Sequence, residues 1–399
     1  MPRLRFPEFV SAEEWQEYTL DEIANKITEK VGDRQLTTLS ISAGVGFISQ
    51  AEKFSRDISG KQYKNYILLR KGDFSFNKGN SKKYPQGCVY ELNEYDEAAV
   101  PNAFISFRFN KSYVSDFYKG YFESNFHGKQ LMKFITSGAR MDGLLNINPT
   151  DFFSIILPTP KDRAEQQKIA DCLSSLDDLI AAEGKKLELL KAHKKGLMQK
   201  LFPAEGKAVP EWRFPEFREN DEWNICLLKD IAKITTGNKD TQNKVDDGEY
   251  PFFVRSQIVE KIDSYSFDCE AILTSGDGVG VGKNFHYING KFDFHQRVYC
   301  IYDFVSIALC KFIFYYFSEQ FYQRVMQLSA KNSVDSVRMS MISEMPIGLP
   351  CVAEQQKIAD CLSSLDDLIA EQTQLVESLK FHKKGLMQGL FPSIEEVSE

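Results

Sequence analysis

The chain has no C-x-x-C pair. Its eight cysteines (Cys88, Cys172, Cys226, Cys269, Cys300, Cys310, Cys351, Cys361) stand apart, and with five dispersed histidines they offer no metal-ligand spacing. The expectation is free thiols that pack as small hydrophobes. No run of about 18 apolar residues occurs, and Met1-Pro-Arg-Leu-Arg-Phe6 lacks the apolar region of a signal peptide, so a soluble, cytoplasmic chain without membrane association is expected. Catalytic signatures are missing too. The tract Gly278-Val-Gly-Val-Gly-Lys283 invites a phosphate-loop reading, but Asn284 follows the lysine and Asp277 stands where the first glycine is required. Val281 and Lys283 occupy the positions where a G-x-G-x-x-G turn needs its last glycine, and neither H-E-x-x-H nor G-x-S-x-G occurs. A surplus of positive charge is absent as well: the net charge of -7 argues against nucleic-acid binding driven by bulk attraction, and leaves any basic surface to be found locally.

What is present is a well-packed composition, 43% hydrophobic and 13% aromatic, over 399 residues, which suits two or more domains. Above all, the chain repeats itself. Ala164–Pro203 and Ala353–Pro392 agree at 31 of 40 positions, at an offset of 189. Upstream, Pro2–Phe9 matches Pro210–Phe217 at an offset of 208, Trp15 pairs with Trp223, Leu20 with Leu228, and Ile23-Ala24 with Ile231-Ala232. At intermediate offsets, Gly72-Asp73 pairs with Gly276-Asp277, Asn80 with Asn284, and Pro158 with Pro350. The linker Phe202–Phe217 joins the first repeat to the second half. Its counterpart is split between Phe391-Pro392 and Arg5–Phe9, as in a ring of two units cut open, which implies an internal pseudo-two-fold.

Each 40-residue repeat is a long helix with a heptad seam. Ile169, Leu173, Leu176, Ile180, Leu187 and Leu190, continued by Leu197 and Leu201, step by threes and fours, with Glu183 and Lys194 in the gaps. Ile358, Leu362, Leu365, Ile369, Val376 and Leu379, continued by Leu386 and Leu390, do the same around Gln372 and Lys383. Such a seam needs a partner, and two copies in one chain supply it as an antiparallel coiled coil. Some 37 helical residues span roughly 55 Å, longer than one turn of B-DNA at about 34–36 Å. Acids early and lysines late along the helix fit compensation of its dipole.

Residues 15–158 and 223–350 read as mixed α/β domains, with strands such as Tyr66–Leu69, Ala103–Phe107 and Val298–Tyr302 and aromatic amphipathic helices over Ser115–Ile135 and Ser306–Leu328. Between Lys53 and Lys83 nine basic residues face two acids and interleave with aromatics. Lys61, Lys64, Arg70, Lys71, Lys78, Asn80, Lys82 and Lys83 are candidates for phosphate and base contact, although a merely solvated surface would carry them equally well. In the second domain acids outnumber bases over 238–300, so only a focused patch serves. The candidates are Lys283, Asn284, His286, Lys291, His295 and Arg297, with Lys331 and Arg338 further on, paralleling Arg140 in the first half.

Taken together, Glu-Gln-Gln-Lys-Ile at 165–169 and 354–358, each opening a heptad helix after a proline-containing strand end, resembles the specificity subunits of type I restriction–modification enzymes. The openings Trp15…Leu20…Ile23 and Trp223…Leu228…Ile231 resemble the start of that family's target-recognition domains. The resemblance divides the chain into target-recognition domain 1 (1–158, with 1–14 as a lead-in), helical repeat 1 (159–203), a linker (204–222), target-recognition domain 2 (223–350), helical repeat 2 (351–392) and a tail (393–399). It implies double-stranded DNA with a bipartite target as ligand, one half per domain, with the helical pair setting the gap. It implies two methyltransferase subunits and motor–nuclease subunits as partners. S-adenosylmethionine, ATP and Mg²⁺ would reside on those partners, with no cofactor, metal or catalytic residue in this chain. An interaction protein dimerising through its helices would explain the heptads but not two dissimilar domains each set before a near-invariant helix. A stand-alone nuclease or methyltransferase would need turnover or cofactor binding by the chain alone.

Overall fold

The computed structural model describes residues 1–79, 84–135, 145–204, 206–278, 280–328 and 336–392. The chain divides into two units, Met1–Glu183 with Leu375–Glu399, and Gly184–Gln374, so each holds one globular domain and a part of both long helices. Those helices run Arg163–Leu201 and Val352–Leu390. Every seam residue from Ile169 to Leu190 and from Ile358 to Leu379 is buried or half-buried, with Glu183 and Gln372 alike in the gaps.

In the first unit the helices pair antiparallel: Lys383 donates to Asp177 at 2.6 Å, while Leu173 and Phe391 both press on Gly120. A Cβ at Gly120 would lie 2.7 Å from Leu173 and 2.9 Å from Phe391, so only glycine lets the helix Ser115–Glu123 approach the pair this closely. In the second unit the equivalent ion pair joins Lys194 to Asp366, and Met198, Leu201 and Phe202 share one core with Ile358, Ala359 and Leu362.

Each globular domain opens with a strand paired antiparallel to the strand that precedes a long helix. Gln16–Thr19 pairs with Ile156–Thr159, and Asn224–Leu227 with Pro346–Leu349. In the first unit a four-stranded antiparallel sheet follows, in the order Ala24–Lys26, Ile105–Phe109, Phe74–Asn77, Cys88–Glu91. Its inward Phe74, Phe76 and Phe107 stack with Phe122 and Phe152 from the helices. The helix expected over Ser115–Ile135 is broken after Glu123, because Asn125 adopts left-handed φ of 57° before a second helix at Phe126–Leu131. A smaller layer pairs Ile67–Arg70 with Glu97–Val100 and closes its own core around Leu39, Leu69 and Val100.

In the second unit the sheet has six strands, ordered Lys233–Thr236, Val298–Tyr302, Phe267–Ser275, Phe285–Phe294, Tyr250–Phe253, Glu260–Ile262. Alternation decides the two faces. Ile272 and Ile301 turn toward the helix Cys310–Leu328, whereas Ala271, Leu273 and Cys300 turn into a separate core with Phe253, Phe292 and Phe294.

The strand registers correct two pairings read from the sequence. Phe74 lies opposite Phe107 as Ile272 lies opposite Ile301, so Asp73 precedes its strand while Asp277 follows the corresponding one. Gly-Asp marks a turn in both places, but not the same turn. Likewise the counterpart of Pro350 is Pro160, not Pro158, because Gln355 and Gln166 donate to those two carbonyls alike, each at 2.8 Å.

The duplicated Glu-Gln-Gln-Lys has one physical task per residue, carried out in both units. Glu165 takes the fork of Arg5 at 2.7 Å on each oxygen, and Glu354 takes that of Arg213 at 2.8 and 2.6 Å. Gln166 accepts from the Val114 N–H, and Gln355 from the Leu309 N–H, both at 2.9 Å, which fastens the loop that opens each domain helix. Gln167 and Gln356 reach along the surface to Asp171 and Asp360. Lys168 and Lys357 pair with Glu8 and Glu216 and lie over the Phe6 and Phe214 rings. The lead-in follows the same plan: Leu4 N–H bonds to Gly389 O at 2.9 Å, and Trp212 N–H to Lys200 O at 3.0 Å. Each lead-in therefore lies along the last turn of a long helix, as the cut-ring reading expects.

Candidate nucleic-acid interface

In the second unit five loops join into one surface. Gly276 receives its closest neighbours by backbone bonds, N–H to Arg297 O at 2.8 Å and O from Val337 N–H at 2.7 Å. A Cβ there would stand 2.9 Å from Arg297 O, so the approach needs glycine. Gln257 donates to Lys283 O at 3.0 Å, the His286 ring bonds Ser256 O at 2.9 Å, and Gln296 N–H bonds Lys239 O at 2.8 Å. Lys239, Arg255, Lys283, Arg297 and Arg338 thus stand on joined loops, whose acids among the described residues are Asp277 and, on the loop of Lys239, Asp240, Asp246, Asp247 and Glu249. Folding brings Arg255, Lys283, Arg297 and Arg338 together from loops that lie far apart in the sequence.

Asp277 is the centre of this surface. It accepts from Arg255 Nη1 at 2.8 Å and from Arg297 Nη1 at 2.9 Å. Partial burial alone would raise its pKa, but the two guanidinium groups outweigh that and hold it below the usual carboxylate range. The arginine side chains remain 43% and 63% exposed, so each keeps donors turned to solvent.

The predicted contacts divide accordingly. Lys283, Arg297 and Arg338 are exposed on this surface, with Lys283 also over the Tyr322 ring. Asn284 and His295 are corrections: Asn284 is buried with its amide on Ser275 Oγ, and His295 is buried with Nδ1 accepting from the Arg297 N–H. Both hold the loops and present nothing outward. His286 is half-buried and tied to Ser256, and burial lowers its pKa. Lys291 lies on the strand Phe285–Phe294 against Tyr265 and Tyr250, not in this set of loops. Lys331 lies outside the described residues. Arg255 and Lys239 were missed by the sequence reading, since each stands in a stretch with no local basic excess.

In the first unit the equivalent backbone bond runs from Leu145 N–H to Lys78 O at 2.9 Å, which places Lys78 where Gly276 stands. Beside it a recess of about 350 Å³ is lined by Lys26, Lys30, Lys78 and Asn102, with Lys30 Nζ bonded to Asn102 Oδ1. The basic stretch from Lys53 does not act as one face. Arg70 is spent on Glu29, at 2.7 and 2.9 Å, and Lys64 on Asp33. Lys53 donates its Nζ to Ile41 O at 2.7 Å. Lys61 and Lys71 are exposed with no side-chain partner among the described residues. Asn80, Lys82, Lys83 and Arg140 lie outside the described residues.

The same unit holds a cavity of about 680 Å³ lined by Phe47, Tyr84, Glu91, Lys119, His127 and Lys383 among others. Burial, then Asp116, pushes Glu91 up to about 7, and burial holds His127 down to about 3. Among the described residues no group of three or more His, Cys, Asp or Glu is arranged to hold a metal, and no helix is long and apolar enough to cross a membrane.

Residues 12–192 and 220–380 match the family described as Type I restriction modification DNA specificity domain, once per half of the chain. The chain is 30% identical over 167 residues to the type I restriction enzyme EcoDI specificity subunit of Escherichia coli, covering 42% of this chain and 35% of that one. It is 28% identical over 295 residues to the type I restriction enzyme MjaVIII specificity subunit of Methanocaldococcus jannaschii, covering 64% and 65%. The alignments thus span less than two thirds of either relative. In fold it is similar to the type I restriction–modification S subunit from M. genitalium, with a TM-score of 0.67 at 14% identity over 98% of this chain and 99% of that one. A chain from a type I restriction–modification assembly superposes with a TM-score of 0.54 at 14% identity over 95% and 97%.

Proposed function

Since this chain belongs to the family of type I restriction modification DNA specificity domains, we propose that it is the DNA-reading subunit of such a complex. Each globular domain reads one half of a bipartite double-stranded target, and the antiparallel helix pair sets the distance between halves. The observation that carries this reading is the duplicated docking set. The same Glu-Gln-Gln-Lys anchors a different globular domain in each unit, through the same contacts. A constant scaffold under variable domains suits a modular reader, and the five-loop basic surface of the second unit supplies phosphate and base contacts of the required kind.

The chain performs no chemistry in this reading. Two methyltransferase subunits bring S-adenosylmethionine, and motor–nuclease subunits bring ATP and Mg²⁺. The helix surfaces support two equal partners. Residues 164–181 and 353–370 are identical at every position, whereas 182–192 and 371–381 differ at eight of eleven. Gln167, Asp171, Ser175 and Leu179 in the first copy, and Gln356, Asp360, Ser364 and Leu368 in the second, are exposed. Packing within this chain does not demand their identity, whereas a partner bound twice does.

The test is methylome sequencing of a host expressing the chain with its cognate methyltransferase subunit, beside a host lacking the chain. The expected result is a new modified motif of two short parts separated by a fixed run of unspecified bases. Exchange of residues 223–350 should then alter one part only. A soluble complex that yields no motif overturns the reading in favour of an interaction protein.

A further inference from the structure

We propose that Arg255 and Arg297, oriented by Asp277, are the guanine-reading pair of the second domain. This rests on the reading of the chain as a DNA-recognition subunit and assigns the discrimination within that half-site to three residues. An aspartate at the centre of a phosphate-binding surface works against affinity, because it repels the backbone. Its position is accounted for by what it holds. Each arginine gives Nη1 to one carboxylate oxygen, at 2.8 and 2.9 Å, which fixes two long flexible side chains in one orientation. Nε and Nη2 of each remain as a planar pair of donors, matched to O6 and N7 of guanine in the major groove.

The loop geometry reinforces the assignment. Asp277 itself is only 17% exposed, and it is held in place by the bridge to Ser336 and by the backbone bonds of Gly276 to Arg297 and Val337. Below the pair, His295 Nδ1 accepts the Arg297 N–H at 2.9 Å, so the loop carrying Arg297 is stiffened from beneath. Two forks hanging from one carboxylate stay within two or three base steps of about 3.4 Å. The pair therefore reads neighbouring G·C positions, not the two ends of a half-site. Lys283 carries a compact charge without a fork and serves the phosphates, whereas Lys239 is paired with the buried Asp293 at 3.7 Å.

The experiment is methylome sequencing of hosts carrying the complex with Arg255→Lys, Arg297→Lys, Asp277→Asn or Lys283→Ala. The arginine variants keep charge and lose the fork, so each is expected to relax a G·C position, by tenfold or more, only in the half that exchange of residues 223–350 alters. Asp277→Asn should relax the same positions with both arginines intact. Lys283→Ala should lower modification uniformly without changing the motif. An unchanged motif in both arginine variants overturns the proposal and leaves the bipartite reading standing, as does uniform loss at all sites from a soluble complex. A wild-type complex with no bipartite motif overturns both.

Discussion

The guanidinium of Arg213 closes on both carboxylate oxygens of Glu354, at 2.8 and 2.6 Å, with neither side chain more than 7% exposed. Its remaining donors reach Asn220 O at 2.9 Å and Asp221 O at 3.3 Å, so one side chain ties the linker to the start of the second long helix. Removing either partner leaves a buried charge uncompensated. Glu354→Gln and Arg213→Met should each lower the unfolding free energy by about 3–5 kcal/mol. The double variant Arg213→Met, Glu354→Leu should lose less than either. Denaturant unfolding of the three variants measures this, and additive losses in the double variant would sink the account.

Gln355 and Gln356 are neighbours of the same type with opposite duties. Gln355 accepts from Leu309 N–H at 2.9 Å and donates to Ile307 O and Pro350 O, both at 2.8 Å. Gln356 reaches Asp360 on the surface at 2.8 Å, with no other side-chain hydrogen bond among the described residues. Gln355→Ala strands three backbone groups and should cost about 2–4 kcal/mol, against a few tenths for Gln356→Ala. Equal effects in urea titrations would mean that the buried amide does not fasten the domain.

Much of this was legible in the sequence, for reasons that are physical. The heptad seam and the 189-residue offset are local patterns, and they located both long helices and the duplicated Glu-Gln-Gln-Lys. Val298–Tyr302 is a strand as read, since β-branched and aromatic residues bounded by turns have few alternatives. The candidate surface was legible only in part, because polarity in a sequence does not reveal direction. Asn284 points inward to the Ser275 hydroxyl and His295 to the Arg297 N–H, while Lys283 and Arg297 beside them point out. Arg255 gave no signal: it lies 22 residues from the aspartate that holds it, and only the fold of the sheet brings them together.

Glu91 and His127 line one cavity and should tilt the first unit's stability in opposite directions. Glu91 is raised from 4.5 to about 7, first by burial and then by Asp116, so the folded state binds the extra proton. Its contribution is fully present below pH 4.5 and is lost as pH rises through 7. His127 is lowered from 6.5 to about 3 by burial among Phe76 and Phe122, so its contribution is present above pH 6.5 and is lost as pH falls toward 3. Glu91→Gln should therefore stabilise most at pH 8 and least at pH 4, and His127→Phe the reverse. Denaturant midpoints across this range decide the matter. A constant offset from wild type in either variant would show that the group does not titrate between the folded and unfolded states.

Arg338 and Arg70 test the proposed DNA-reading surface against an ordinary charged one. Arg338 is exposed beside the loop of Asp277, with no side-chain partner among the described residues. Arg70 is committed to Glu29 and Glu97. A phosphate contact releases counterions, and its loss lowers the slope of log affinity against log salt by about one unit per charge removed. Arg338→Ala should therefore weaken DNA binding by the methyltransferase complex similarly on target and non-target duplexes, with the slope reduced by about 0.9. Arg70→Ala should leave the slope unchanged, because its charge is already neutralised by neighbours. If Arg70→Ala changes the slope and Arg338→Ala does not, the duplex lies on the smaller layer of the first domain and the five-loop surface of the second unit is not the reading face.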